Sequence, residues 1–111
     1  MLHEVYKSSS LKNYLLARNH KEQTPLLIAS TVGSISVLKA LLDEGSDPLS
    51  SDIIGCTIFL NLARGAHLWA LHYVYGYVLE HLGGETVNQL LNARDHDNHG
   101  VLDWAAEAGN H

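Results

Sequence analysis

Thr24-Pro25-Leu26-Leu27-Ile28-Ala29-Ser30 and the segment from Ser34 to Gly45 behind it constrain this chain more than any other stretch. Thr24 offers a helix N-cap oxygen, and Pro25 falls at the first helical position, where its missing N–H costs nothing. Gly33 breaks the helix, Ser34 supplies a second cap, and Ile35, Leu38, Leu41 and Leu42 recur at helical spacing. Gly45 is placed to end the second helix in a left-handed conformation. Two short antiparallel helices closed this tightly cannot bury their apolar faces alone. They require a neighbour of the same kind.

That neighbour is in the sequence. Thr57 follows Thr24 by 33 residues, and Thr57-Ile58-Phe59-Leu60 repeats the helix opening, with Asp52 to Cys56 standing where Asn19 to Gln23 stood. A third copy, Gly100-Val101-Leu102-Asp103-Trp104-Ala105-Ala106-Glu107-Ala108-Gly109, starts 43 residues after Thr57. A fixed period of this length is the signature of a solenoid, in which each unit stays dry only against the next. The pattern resembles the ankyrin-repeat family. Thr24-Pro25-Leu26, Gly45, Asp47, Asp52, Gly55, Thr57, Asn92-Ala93, Asp95 and Ala105-Ala106 match its motif position by position. It departs from the motif in four places. The helix-opening His is Leu27, Leu60 and Asp103; Gly100 replaces the third Thr; Asn61 stands at an apolar position; and the second spacing is ten residues long.

The expected architecture is all-α: a single domain, residues 1–111, forming a short ankyrin-type solenoid of antiparallel helix pairs with finger-like hairpin loops. Residues 1–18 read as a partial or capping unit, 19–51 as a repeat, 52–94 as a repeat with an insertion, and 95–111 as a truncated repeat. Pro48 and the Ser, Asp and Gly content of residues 46–56 predict turns around a short hairpin with Ile53 and Ile54 near its tip. In the second unit, Leu68, Leu71, Tyr75, Val78 and Leu82 define a helical stripe that Trp69, Tyr73, Val74, Tyr77 and Leu79 widen. A long, largely covered helix is expected there, kinked at Gly76 and ended by Gly83-Gly84. An extra turn of helix is expected within residues 85–91. The third unit supplies one helix and stops, which would leave Leu102 and Trp104 poorly covered and suggests either a segment of a longer protein or another chain covering that face.

Composition narrows the function classes. Twelve acidic residues against seven Lys and Arg give a net charge of −5, with no basic stripe, so nucleic acid and anionic membrane are not expected partners. Cys56 is the single cysteine, excluding an intrachain disulfide and favouring a reducing compartment. The expected setting is cytoplasmic, or the host cytosol for a secreted effector. Residues 1–4 lead into no apolar signal segment, and no apolar run reaches the ~20 residues needed to span a bilayer.

Few constellations suggest chemistry. Asp95-His96-Asp97-Asn98-His99 presents alternating donors, but nothing completes a set of four ligands, and Asp and Asn at these positions make turns. No metal and no cofactor is expected. His67, His72 and His81 are not four residues apart, and Cys56 has no histidine close in sequence, so it reads as an inert thiol. No phosphate cradle or catalytic triad motif is present, and the chain is not expected to be an enzyme.

The resemblance implies a protein–protein interaction module whose fingers and first helices line a concave groove. Carried over position by position, the partner-binding residues are His20, Lys21, Gln23, Ile53, Ile54, Cys56, Arg64, His96, Asp97 and His99, flanked by Thr31, Val32 and Glu107. Ile53 and Ile54 stand out, since paired β-branched residues at an exposed tip need a reason. Two alternatives are an architectural segment of a larger multidomain protein such as a bacterial effector, and a His-dependent metal or pH-responsive site.

Overall fold

In the computed structural model, which describes residues 13–108, a short helical segment at 13–16 precedes six helices. These are α1 (Pro25–Val32), α2 (Ile35–Asp43), α3 (Ile58–Arg64), α4 (Leu68–Leu82), α5 (Gly84–Asn92) and α6 (Val101–Ala108). No strand occurs among the described residues. Helices α1 and α2 form one hairpin and α3 and α4 the next. The first helices α1, α3 and α6 stack side by side, α2 packs on α4, and α5 packs on α4.

The helix starts follow from local chemistry. Thr24 and Thr57 each accept a hydrogen bond from the backbone N–H three residues on, Leu27 and Leu60, at 3.3 and 3.4 Å. Gly100 has no side chain to offer, and Asp103 answers from the other direction. Its carboxylate accepts the Gly100 N–H at 2.8 Å, the reciprocal half of a capping box. Asp103 thus caps the start of α6.

The helix ends also have identifiable causes. After α2, Gly45 at φ +98° donates to the Leu42 carbonyl and Ser46 to that of Leu41, the paired bonds of a Schellman stop. The same pair closes α3, Ala66 N–H to Ala63 O and His67 N–H to Leu62 O. There the left-handed residue is Ala66, at φ +60°, and Gly65 stays right-handed.

The core is centred on α3, where Ile58, Phe59, Leu60, Asn61, Leu62 and Ala63 are all buried between α1 and α6. Leu26, Leu27 and Ala29 meet it from α1, Leu38 and Leu42 from α2, and Val101 from α6. Asn61 is buried because it has a partner. Its Nδ2–H donates to the buried Ser30 Oγ at 3.1 Å, and Ser30 Oγ–H donates to the Leu27 carbonyl at 2.6 Å. An amide with a bonded hydroxyl beside it is accommodated where an isolated one would cost a few kcal/mol.

The insertion resolves into a lengthened α4 and the added α5, whose Val87 and Leu90 are buried. One expectation for α4 does not hold. The helix continues through Gly76 to Leu82, but it is not largely covered. Only Ala70, Val74 and Val78 are buried, a stripe at every fourth residue, whereas Trp69 is 84 % exposed and Leu68, Leu79 and Leu82 are about half exposed. An outer helix of a two-layer stack has neighbours on one side alone, so one stripe is all it can bury.

His67 locks the two hairpins together. Its Nε2 lies 3.1 Å from the Thr31 carbonyl, and its ring lies flat enough against Gly33 and Gly65 that neither has room for a Cβ. At Gly65, for instance, a Cβ would come within 2.7 Å of His67 Cδ2.

Candidate functional site

Three loops of one geometry precede α1, α3 and α6. Asn19, Asp52 and Asp95 open them, and each side-chain Oδ1 accepts the backbone N–H groups two and four residues on, at 2.9–3.0 Å. Each opening residue also donates its own N–H to the carbonyl four residues later, at 3.0–3.1 Å. The fourth residue of each loop, Glu22, Gly55 or Asn98, takes a positive φ. An Asx residue and a left-handed residue three positions apart are what a closed turn of this size needs. Asp95 to His99 is thus a compact turn whose Oδ1 is already occupied. Among the described residues no group of three or more His, Cys, Asp or Glu is arranged to hold a metal.

The loops are laced to one another. Ile53 N–H donates to the Lys21 carbonyl at 3.0 Å, and His96 N–H donates to the Ile54 carbonyl at 2.9 Å, the same step repeated along the fingers. Arginines brace the outer two loops from the preceding position. Arg18 Nη1 donates to the Glu22 carbonyl at 2.6 Å and Arg94 Nη1 to that of Asn98 at 2.9 Å, each at the left-handed residue. Sequence reading missed this pair. The signal was an Arg immediately before Asn19 and Asp95, absent before Asp52, where Ser51 stands.

Fingers and first helices enclose a groove of about 540 Å³ lined by Lys21, Gln23, Thr31, Asp52, Ile53, Ile54, Asn61 and Arg64. Five of the ten candidate residues therefore meet on one concave surface: Lys21, Gln23, Ile53, Ile54 and Arg64. Ile53 is 56 % and Ile54 43 % exposed. His20, His96 and Asp97 are exposed on the finger row and His99 is half-buried, all outside the lining. Cys56 is the correction. It is fully buried within the core cluster, because the loop turns its last residue inward to meet the helix. Burial, reinforced by the carboxylates of Asp52 and Asp95, pushes its thiol up to about 11. A second depression of similar volume, on the α1–α2 face, is lined by Tyr14, Pro25, Ile28, Val32 and Val37 among others, and of the candidate residues only Gln23 reaches it.

Behind Arg64, outside the groove lining, lies a side chain that sequence reading treated as poorly covered. Trp104 Nε1–H donates to Asp95 Oδ2 at 3.0 Å, its ring meets that of His99 at a tilt of 42° with centroids 4.6 Å apart, and the Arg64 guanidinium lies 5.4 Å from its centroid. Asp95 is buried, which by itself raises a carboxyl. The N–H donors of His99, Trp104 and Asp97 outweigh that and hold it below the usual carboxylate range.

Stacked helical hairpins joined by laced Asx turns define a repeat solenoid. Residues 21–53 match the family model of the ankyrin repeat, consistent with a divergent ankyrin-repeat protein. No curated protein matches its sequence.

Proposed function

We propose that this protein is a protein–protein interaction module that takes its partner in the groove between fingers and first helices. Ankyrin repeats in general mediate protein–protein interaction. The observation that carries the reading is the meeting of Ile53 and Ile54, both substantially exposed, with Lys21, Gln23 and Arg64 around one concavity. Exposed branched aliphatic side chains beside a few polar and charged groups make a surface that gains from being covered and can still orient what covers it. With a single, buried thiol, its working compartment in this reading is the cytoplasm.

The test is affinity capture from lysate with mass spectrometry, comparing the natural chain with the double variant Ile53→Asp, Ile54→Ser. The variant is expected to lose the specifically captured protein while its far-UV circular dichroism is unchanged, since neither side chain belongs to the core. Equal capture by both proteins would remove these residues from the site.

A further inference from the structure

The groove's charge is out of keeping with the molecule that carries it. The chain has twelve acidic residues and seven Lys and Arg. Of the basic residues described, Lys39 pairs with Asp43 at 2.7 Å, Arg94 pairs with Asp103 at 3.2 Å, and Arg18 is tied to the carbonyls of Glu22 and Ser51. Lys21 and Arg64 pair with no carboxylate of the described residues, and both line the groove. The one carboxylate in that lining, Asp52, has Oδ1 engaged by the N–H groups of Ile54 and Cys56.

Arg64 is also prepared for a ligand. Its guanidinium lies 5.4 Å from the centroid of the Trp104 ring, and the planar fork of an exposed arginine can donate to a carboxylate through two bonds. The ring beneath it is in turn anchored to buried Asp95 through Nε1. Asp95 and Trp104 are positioning residues in this arrangement. They hold the ring beside the guanidinium of Arg64, which lines the groove, so less of its conformational freedom remains to be lost on binding.

We propose that the groove selects an acidic–aliphatic peptide segment, with a carboxylate side chain on Arg64 and Lys21 and a branched aliphatic side chain on Ile53 and Ile54. This rests on the reading of the groove as a protein-binding site and adds the chemistry of what it binds.

The test uses the full chain immobilised against three pools of nine-residue peptides. One is built from Asp, Glu, Leu and Ile, one from Asn, Gln, Leu and Ile, and one from Lys, Leu and Ile. The acidic pool is expected to be retained at least tenfold over the other two at low salt, and less strongly as added salt screens the contact. Arg64→Ala, at an exposed position, is expected to weaken that retention about tenfold, the scale of one charged hydrogen-bonded contact. Arg64→Lys is expected to restore only part, since it keeps the charge and loses the planar fork. Unchanged circular dichroism for both variants establishes that they are folded. If the amide or basic pool is retained as well as the acidic one, and Ile53→Asp with Ile54→Ser abolishes that retention, the acidic preference is overturned while the groove stands as a peptide site. If no pool's retention responds to that double variant, the binding reading itself falls, and this proposal with it.

Discussion

Asp95→Asn is the most informative substitution in this fold, because the protein already contains its control. Asn19 opens the first loop with an amide oxygen and makes both backbone bonds that Asp95 makes, so an amide can build this turn. What an amide cannot do is accept from Trp104 at the same time. With Oδ1 on the N–H groups of Asp97 and His99, the amide nitrogen faces the indole N–H, donor against donor. The bond lost is a charge-assisted one of 3.0 Å to a carboxylate that is buried, which sets the cost at about 2 kcal/mol. For a domain of this size that is a fall in Tm of roughly 10 °C.

The assay is urea unfolding followed by circular dichroism, run as a cycle with Trp104→Phe, which keeps a ring and removes its N–H. In the Trp104→Phe background, Asp95→Asn is expected to cost less than about 0.5 kcal/mol, because the interaction it breaks is already gone. The same penalty in both backgrounds would refute the reasoning. The sign with pH follows from the direction of the shift. A carboxyl held below its unfolded value near 3.9 contributes stability that is fully present above that pH and is lost as pH falls through the folded value. The stability gap between the natural protein and the Asp95→Asn variant is therefore expected to close as pH falls below about 4.

Two further outcomes concern the backbone. Ala66→Gly is expected to stabilise the protein by about 1 kcal/mol in urea unfolding, since Ala66 stands at φ +60° where an L side chain is strained. Gly33→Ala is expected to destabilise by more than about 2 kcal/mol, combining a left-handed φ of +80° with a Cβ driven into the His67 ring. Adding His67→Ala should recover part of the steric share and leave about 1 kcal/mol of backbone strain; no recovery would mean that the ring is not the obstacle.

What could be read from the sequence is what is decided within a few residues. The Thr24 and Thr57 caps, the Gly45 stop, the turn-forming role of Asp52 and Asp95, and the helical identity of the Tyr73–Tyr77 stretch each depend on hydrogen bonds or periodicity spanning one to five positions. The period of 33 then supplied the architecture, because hairpins that short must stack. Part of the groove was legible for the same reason. Lys21 and Ile54 stand 33 residues apart, as do Thr31 and Arg64, and the stack brings equal registers together.

Other features were settled only by contacts between distant parts of the chain. Asn61 is tolerated in the core by Ser30, 31 residues earlier, and His67 reaches Gly33 across the hairpins. Cys56 turns inward and Trp104 turns onto Asp95, although both looked like surface in the sequence. Helix α4 carries enough apolar residues to be buried on all sides and is covered on one. Periodicity says which residues share a face; how many faces are covered depends on how many layers the fold assembles, and that is a property of the packed molecule.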